Sequence, residues 1–269
     1  MLDMKKIIYD YDYIFKDNNN DTENIIFCHG FNASINVFNI FKNYWTKSNY
    51  YALQFPGNNN VKPIKDHEIS VLQFAKLVVE FVKNNNLKNV TLIGHSMGGG
   101  TISLAYQLAP ELFKKLVYVC PMNKASEDVN NNFLHDYFPK TFEEFTTDFL
   151  GSLYYDPSFL TRDPKWMRLA KWHFSGNDYN TKELTDLGKT LVSKELHEQI
   201  YQAIKTIKIP TLLILGEKDG VVNREPCLKY YQDEVKNVIT TWIPKTGHMV
   251  FEEDWDSFIK ILEPFLLNK

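Results

Sequence analysis

Short apolar runs alternate with segments of helical periodicity along most of the chain, and the runs predict strands. Several of them are continuously apolar and end at a glycine. This pattern is typical of strands in a parallel sheet that is covered on both faces. The predicted strands lie within Lys5–Lys16, Asn24–Gly30, Tyr50–Gly57, Asn89–Gly94, Lys115–Pro121, Ile209–Asp219 and Asn237–His248.

The segments between these runs predict helices with recognisable starts. Ser34 can cap a helix whose apolar positions run from Val37 to Trp45, and the spacing Ser70-x-x-Gln73 is a capping box. A closing helix begins near Trp255, with acidic residues in its first turn. Strand–helix alternation predicts an α/β fold with a mostly parallel, doubly wound sheet. The first two strands lack an intervening helix, which indicates an antiparallel N-terminal edge.

The alternation stops between about Met122 and Ile207, where the sequence becomes aromatic and helix-like. We interpret residues 122–207 as a helical cap inserted into a core made of residues 1–121 and 208–269. Runs of three asparagines punctuate the chain between periodic segments, as expected of a residue that tolerates turns. These runs are Asn18–Asn20, Asn58–Asn60, Asn84–Asn86 and Asn130–Asn132.

Composition excludes several classes of protein. A chain of 269 residues, 44% hydrophobic, suits one large domain with an insertion, and a net charge of −3 gives no reason to expect a nucleic-acid partner. The three cysteines (Cys28, Cys120, Cys227) are widely separated, which predicts buried thiols rather than disulfides or a zinc cluster. The charged N-terminal stretch does not resemble a secretory signal, and no apolar run is long enough to span a membrane. We therefore expect a cytoplasmic protein without a bound metal or cofactor.

The most informative stretch is Leu92–Gly100, LIGHSMGGG, where Ser96 follows a predicted strand and precedes a predicted helix. In that context Gly94-His95-Ser96-Met97-Gly98 fits the G-x-S-x-G pattern, in which a sharp turn presents a nucleophilic serine. The flanking glycines are needed because side chains there would collide with neighbouring backbone. Gly99 and Gly100 are expected to be less constrained, with close packing of helix on sheet as their role.

A serine hydroxyl needs a base, and His248 is the best placed of the seven histidines. It follows the last strand on a glycine-containing loop, at the end of the sheet where sites in parallel folds gather. The other six suit structural roles. His95 is expected to pack beside Ser96 and His29 to fix the loop after its strand, while the remaining four lie in loops or the cap (His67, His135, His173, His197).

The base in turn needs an acid, for which Asp219 is the candidate. It ends the strand after the predicted cap, with Glu217 as the nearest competitor. An Asp-Gly pair is also an ordinary turn signal. The chain order Ser96, Asp219, His248 favours the catalytic interpretation.

Two backbone amides are predicted to stabilise a developing oxyanion, those of Met97 and Phe31. Because the backbone performs this task, the side chain of Phe31 is free to line a substrate pocket. The residues predicted to line that pocket are Phe31, His95, Phe145, Trp166, Trp172, Val221 and Met249.

The motifs at Phe27–Phe31, Leu92–Gly100, Leu212–Val222 and Thr246–Glu253 together resemble the α/β-hydrolase superfamily. The resemblance is closest to its capped esterases, lipases and peroxidase-like members, and it covers the chain outside the predicted cap. It implies the α/β-hydrolase fold, with Ser96 as nucleophile, Asp219 as acid and His248 as base. A serine at position 96 argues against the dehalogenase and epoxide-hydrolase branches, which have an aspartate there.

These observations predict a cofactor-independent serine hydrolase acting on a small-molecule carboxylic ester with an apolar acyl group. The expected substrates are short- or medium-chain acyl esters or aryl esters. The alternatives are a lysophospholipase or monoacylglycerol lipase, a thioesterase, a C–C hydrolase and a proline iminopeptidase. The last would need an acidic site in the cap, for which Glu143, Glu144 and Asp148 are available. A ligand receptor that keeps the hydrolase fold is the non-enzymatic alternative.

Overall fold

The strands of the described residues form one sheet of seven, in the order β1-β3-β2-β4-β5-β6-β7. Every neighbouring pair is parallel except β1 with β3, so the predicted antiparallel N-terminal edge is confirmed. The computed structural model describes residues 8–20, 22–126 and 132–268. The strands are β1 (Tyr13–Lys16), β2 (Asn24–Cys28), β3 (Asn49–Leu53), β4 (Val90–His95), β5 (Phe113–Val119), β6 (Thr211–Gly216) and β7 (Val238–Ile243).

Helices cover both faces of the sheet, and alternate strand residues supply the two halves of the core. In β2, Ile25 and Phe27 belong to the cluster on the side of α1, α12 and α13, whereas Ile26 and Cys28 belong to the cluster with α2 and α3. All five β2 residues are buried, which explains its continuous apolar run. The helices of the core are α1 (Asn39–Tyr44), α2 (Val71–Asn84), α3 (Met97–Leu108), α11 (Arg224–Glu234), α12 (Val250–Glu253) and α13 (Trp255–Leu267).

All described elements between positions 122 and 207 are helical, as the pattern predicts. Some of these helices turn an apolar face to the core. Ile200, Ala203 and Ile204, for example, join the same cluster as α2 and α3. Residues 127–131 lie outside the described part of this segment. The helices are α4 (Phe133–Asp136), α5 (Phe142–Glu144), α6 (Leu150–Leu153), α7 (Ser158–Thr161), α8 (Pro164–His173), α9 (Lys182–Leu191) and α10 (Lys194–Ile204), with a π-helical turn at Phe145–Phe149.

The prediction that Ser34 caps a helix is wrong. Helix α1 begins at Asn39, and residues 31–38 form turns. The side chain of Gln54 accepts a hydrogen bond from the Ile35 amide at 3.2 Å, and the side chain of Asn58 accepts one from the Asn32 amide at 2.8 Å. These long-range bonds hold the segment in an irregular path that brings it beside the ends of the strands.

Ser70 does cap α2, accepting from the Gln73 amide at 3.1 Å. The reciprocal half of the box is missing among the described residues, since the Gln73 side chain accepts no hydrogen bond from the Ser70 amide. The first three asparagine runs each include a residue of positive φ, as expected of a residue that tolerates turns: Asn19, Asn59, Asn60 and Asn86. Asn132, the described member of the fourth run, has φ −102°. Asn130 and Asn131 lie outside the described residues, as do Lys5–Ile7 of the first predicted strand and the start of the charged N-terminal stretch.

The three cysteines are free and buried, as predicted. Across the described residues, we find no helix that combines the length and the apolar character needed to cross a membrane.

Candidate active site

Ser96 lies in a one-residue turn between the end of β4 and the start of α3. Its backbone has φ 55° and ψ −123°, a conformation that costs a non-glycine residue about 1–3 kcal/mol. Hydrogen bonds fix the turn on both sides. The Ser96 amide donates to the Val119 carbonyl at 3.1 Å, and its own carbonyl accepts from the Gly99 and Met122 amides at 2.8 Å each. The strained serine is therefore held by the ends of the central strands.

The glycines around Ser96 allow this turn to form. A Cβ on Gly98 would lie 2.0 Å from the Cys28 carbonyl oxygen, and one on Gly94 would lie 2.4 Å from the Gly98 carbonyl oxygen. Gly99 is as constrained, contrary to prediction, since its Cβ would meet Pro121 Cβ at 2.3 Å. Gly100 is different, because the atom nearest to its Cβ would be the flexible end of Ile200 on α10, at 2.8 Å.

Asp219 and His248 form a buried hydrogen-bonded pair. His248 Nδ1 lies 2.8 Å from Asp219 Oδ2, and both side chains are only 2% exposed. The other carboxylate oxygen, Oδ1, accepts from the Val221 and Val222 amides at 2.7 and 3.0 Å. With its proton on Nδ1 facing the carboxylate, the imidazole presents Nε2 as a base. That Nε2 atom has no hydrogen-bond partner among the described residues.

Glu217, the alternative acid, is turned away from the histidine. Its carboxylate accepts from the Lys245 amide at 2.7 Å, at the exposed end of the loop. The sequence alone placed both acids on the same loop, and the hydrogen bonding distinguishes them.

A short segment at the end of α6 holds the loops of Asp219 and His248 together. The Leu153 carbonyl accepts from the amides of both His248 and Met249, at 2.7 and 3.2 Å. The adjacent Ser152 carbonyl accepts from Gly220 at 3.2 Å, on the acid loop. Sequence reasoning missed this role, because any residue can supply a carbonyl and no side-chain pattern marks it.

Glu253 joins the same segment to the histidine loop. Its carboxylate accepts from the Gly247 amide at 2.6 Å and from the Tyr155 amide at 2.8 Å. Burial raises the pKa of this carboxyl, while the two amides act against the rise. We call Ser152–Tyr155 together with Glu253 the loop clamp. The only sequence signal for Glu253 was an acid shortly after the predicted base.

His95 and His29 are buried neutral imidazoles bound to backbone. His95 Nε2 lies 3.1 Å from the His248 carbonyl oxygen, which links the serine turn to the base loop. His29 Nε2 accepts from the Phe55 amide at 3.2 Å, so its Nδ1 carries the proton and donates to the Gly30 carbonyl at 2.8 Å. Desolvation lowers the pKa of His29 to about 4 and, with the nearby His248, that of His95 to about 3. Both predicted structural roles are confirmed.

The amides of Met97 and Phe31 are available at the serine. Met97 is the first residue of α3, so its amide has no carbonyl one turn earlier in the helix. The Phe31 amide donates no hydrogen bond to any described residue. Gly30 brings the Phe31 loop close, since a Cβ on Gly30 would lie 3.0 Å from Ser96 Cβ and 3.5 Å from Ser96 Oγ. The helix dipole of α3 adds positive potential at the same point.

Two cavities meet at Ser96. The larger, of about 410 Å³, is bordered by His248 and by the loop after β2. The smaller, of about 20 Å³, lies on the side of Met97. The larger cavity is lined by Gly30, Phe31, Asn32, Ala33, Ser34, Asn36, Val37, Asn59, His95, Ser96, Tyr137, Phe149, Leu153, His248 and Met249. The smaller is lined by Phe31, Ser96, Met97, Met122, Ser126, Phe133, Leu191 and Val221.

The structure brings four of the seven predicted pocket residues to these cavities. Phe31, His95 and Met249 line the larger one, and Val221 and Phe31 the smaller. Three aromatic residues of the helical segment do not reach either cavity. Phe145 packs behind Phe149, with 5.5 Å between ring centroids, Trp166 is half-buried on α8, and Trp172 is 78% exposed beside His173. The helical spacing of these residues did not reveal which face of each helix turns inward.

One group of potential metal ligands lies at the same place. Atoms of Cys120, Asp219 and His248 are within 4.8 Å of one another. Burial and the neighbouring Asp219 carboxylate raise the pKa of the Cys120 thiol well above its usual value, which keeps it protonated and a poor ligand. Asp219 is already engaged by His248 and two amides, so this donor set favours a hydrogen-bonded pair over a metal centre.

A family model described as the α/β-hydrolase fold matches residues 23–254. The chain belongs to the α/β-hydrolase family. Two proteins of Mycoplasma pneumoniae, which their names assign provisionally to the esterases or lipases, are similar to this hydrolase. One is 29% identical over 250 residues and the other 30% over 241 residues. The first match covers 91% of this chain and 87% of the relative, and the second covers 84% and 82%.

Solved structures agree on the fold. A protein from Acinetobacter baumannii described provisionally as a lipase superposes on this hydrolase with a TM-score of 0.76 at 22% identity, covering 91% of this chain and 84% of its own. A meta-cleavage product hydrolase from Pseudomonas fluorescens reaches a TM-score of 0.75 at 15% identity, covering 94% and 93%. At such identities the likeness concerns the fold alone.

The two ends of the glycine run are expected to respond differently to substitution. Gly98→Ala places a methyl group against the Cys28 backbone and should destabilise the hydrolase by about 1–3 kcal/mol, and Gly98→Val should abolish activity. Gly100→Ala, the matched control, meets only the mobile end of Ile200 and gains helix propensity. It should keep its melting temperature and most of its activity. Equal losses in Gly98→Ala and Gly100→Ala would contradict the steric role of Gly98.

The buried imidazoles predict a loss of stability in acid. The pKa values of His29 and His95 lie below the value of 6.5 that each regains on unfolding. Between about pH 4 and 6.5 the unfolded chain therefore binds more protons, and the free energy of unfolding falls as the pH is lowered. Each histidine contributes a limiting slope of about 1.4 kcal/mol per pH unit.

Urea unfolding at several pH values between 5 and 7 tests this slope. In His29→Asn, whose amide can still donate toward the Gly30 carbonyl, the slope should be smaller than in the wild type, by a difference that approaches about 1.4 kcal/mol per pH unit near pH 5 and declines toward pH 7. A variant with the wild-type slope would show that His29 does not contribute to the pH dependence of the free energy of unfolding.

Proposed function

We propose that the protein is a serine hydrolase that cleaves carboxylic esters through an acyl-enzyme on Ser96. The observation that carries the proposal is the buried pair of Asp219 and His248. It leaves His248 Nε2 without a hydrogen-bond partner in the described part of the chain, at the cavity that Ser96 borders. The names of the Mycoplasma pneumoniae relatives support an esterase or lipase. Of the esters expected from the sequence, the cavity volumes favour short-chain acyl esters and aryl esters over medium-chain ones.

The first half of the reaction forms the acyl-enzyme. Ser96 Oγ attacks the ester carbonyl carbon, and its proton passes to His248 Nε2. The carbonyl electron pair moves onto oxygen, where the Met97 and Phe31 amides stabilise the negative charge. Asp219 stabilises the imidazolium through Nδ1. When the carbon–oxygen bond to the alcohol breaks, the proton on Nε2 passes to the departing alkoxide.

The second half releases the acid. A water molecule gives its proton to His248 Nε2 and attacks the acyl carbon, and the tetrahedral intermediate is stabilised by the same two amides. The bond to Ser96 Oγ then breaks, and Oγ regains the proton from Nε2. The sequence needs no redox group and ends with enzyme in its starting state.

We further propose that residues 122–207 act as a cap over this site. Phe133, Tyr137 and Phe138 pack on the Phe31 ring, with centroid distances between 5.4 and 6.3 Å. The helical segment thus supplies the apolar roof over both cavities, while the core supplies the reacting groups.

The iminopeptidase alternative finds little support in this cap. A carboxylate for the substrate amine would have to face Ser96, and neither cavity at Ser96 is lined by Glu143, Glu144 or Asp148. Glu144 instead accepts from the Thr141 amide in a capping box at the start of α5. Its carboxylate therefore stabilises the helix end.

Labelling by a fluorophosphonate probe tests the nucleophile. The wild type should be labelled and should hydrolyse p-nitrophenyl acetate, whereas Ser96→Ala should lose both because no other hydroxyl occupies the strained turn. Ser158→Ala, which removes an exposed hydroxyl that donates to the Asp156 carboxylate, serves as the matched control and should behave as wild type. Labelling of Ser96→Ala at the wild-type level would refute the proposal, and labelling without any turnover would favour a receptor.

A pair of carboxamide variants tests the acid. Asp219→Asn should lower kcat by about 10⁴-fold, because the amide no longer fixes the histidine tautomer or stabilises the imidazolium. Glu217→Gln, on the same loop, should retain kcat within a few-fold because, among the described residues, Glu217 accepts a hydrogen bond only from the Lys245 amide. Comparable losses in the two variants would remove Asp219 from its assigned role.

A further inference from the structure

The two cavities at Ser96 differ in size, lining and access to His248. Ser96 and Phe31 border both, but His248 borders only the larger one and Met97 only the smaller. The larger cavity, of about 410 Å³, is lined in part by Asn32, Asn36 and Asn59. The acyl and alcohol halves of an ester would therefore bind in different cavities. The geometry of the reaction determines which half binds in which cavity.

The four bonds of the tetrahedral intermediate fix this choice. One goes to Ser96 Oγ, and the oxyanion faces the Met97 and Phe31 amides. The leaving oxygen must lie within reach of His248 Nε2, which protonates it, so the alcohol half occupies the larger cavity. The acyl chain takes the remaining direction, toward the smaller cavity. This assignment rests on the serine hydrolase mechanism proposed above.

The volume of the smaller cavity limits the size of the acyl group that can bind. Its volume is about 20 Å³, little more than the 10–15 Å³ that holds a single water molecule. Its walls include Met122 and Leu191, which are 6% and 5% exposed and belong to the main core cluster. A methyl-sized group fits between these walls, and a longer chain would have to displace packed side chains.

We propose that the enzyme acts on esters of short acids, acetates above all, whose alcohol half is the larger part of the molecule. Leu191, at the end of α9, sets the limit on acyl length. The carboxamides around the larger cavity both donate and accept hydrogen bonds, which suits an alcohol half bearing hydroxyl groups.

The test compares p-nitrophenyl acetate, butyrate and octanoate, which share a leaving group and differ only in acyl length. The wild type should favour acetate over octanoate at least about tenfold in kcat/KM, since each misfitting methylene has a cost in a closed pocket. Leu191→Ala, and to a smaller extent the milder Leu191→Val, should reduce this preference. Leu191→Val keeps the test valid if the alanine variant does not fold.

Val37→Ala is the reciprocal variant, because Val37 lines only the larger cavity. It should leave the ratio between acetate and octanoate unchanged. A wild type that prefers octanoate, or an acyl preference that changes in Val37→Ala but not in the Leu191 variants, would overturn the assignment while leaving the serine mechanism in place. Failure to hydrolyse any ester, together with no fluorophosphonate labelling, would overturn the proposed function itself.

Discussion

The contact between Gly98 and the Cys28 carbonyl is the constraint on which the rest of the site depends. Helix α3 can start directly above the ends of β2 and β4 only because no Cβ separates these two backbones. That approach forces the chain through the unfavourable turn at Ser96, and it brings the first amide of α3 close to the loop that carries Phe31. The conformational cost of the turn is offset by the hydrogen bonds that the Ser96 backbone forms with Val119, Gly99 and Met122.

The hydrogen-bond partners of the three histidines near Ser96 determine how each imidazole is used. Three imidazoles lie close together, yet only His248 faces a carboxylate, whereas His29 and His95 are bound to backbone carbonyls and kept neutral by burial. A neutral imidazole can brace a loop without placing a competing charge beside the reacting atoms. The arrangement therefore separates support from reactivity among residues of the same type.

Much of the fold followed from the sequence, because buried parallel strands and glycine-flanked turns leave local signals. The serine turn was predicted from the continuous apolar run before Ser96 and from the spacing of Gly94 and Gly98. The positions of Asp219 and His248 after predicted strands indicated that both lie at the same end of the sheet. Other features left no such signal. The need for glycine at position 99 depends on how near Pro121 lies. Residues 31–38 do not form the helix expected after Ser34, because amides of this segment donate to the distant side chains of Gln54 and Asn58. The exposure of Trp172 depends on how α8 is oriented.

The loop clamp is expected to vary less in evolution than the rest of the helical segment. Ser152 and Leu153 hold the loops of Asp219 and His248 through their carbonyls, so their positions are fixed by the geometry of that pair although their side-chain identities are not. Among the described residues, no other part of the helical segment forms a backbone–backbone hydrogen bond with these loops. Over evolutionary time, a new substrate range could therefore arise by exchanging the other helices of this segment, whereas an insertion or deletion at the clamp would separate the acid from the base.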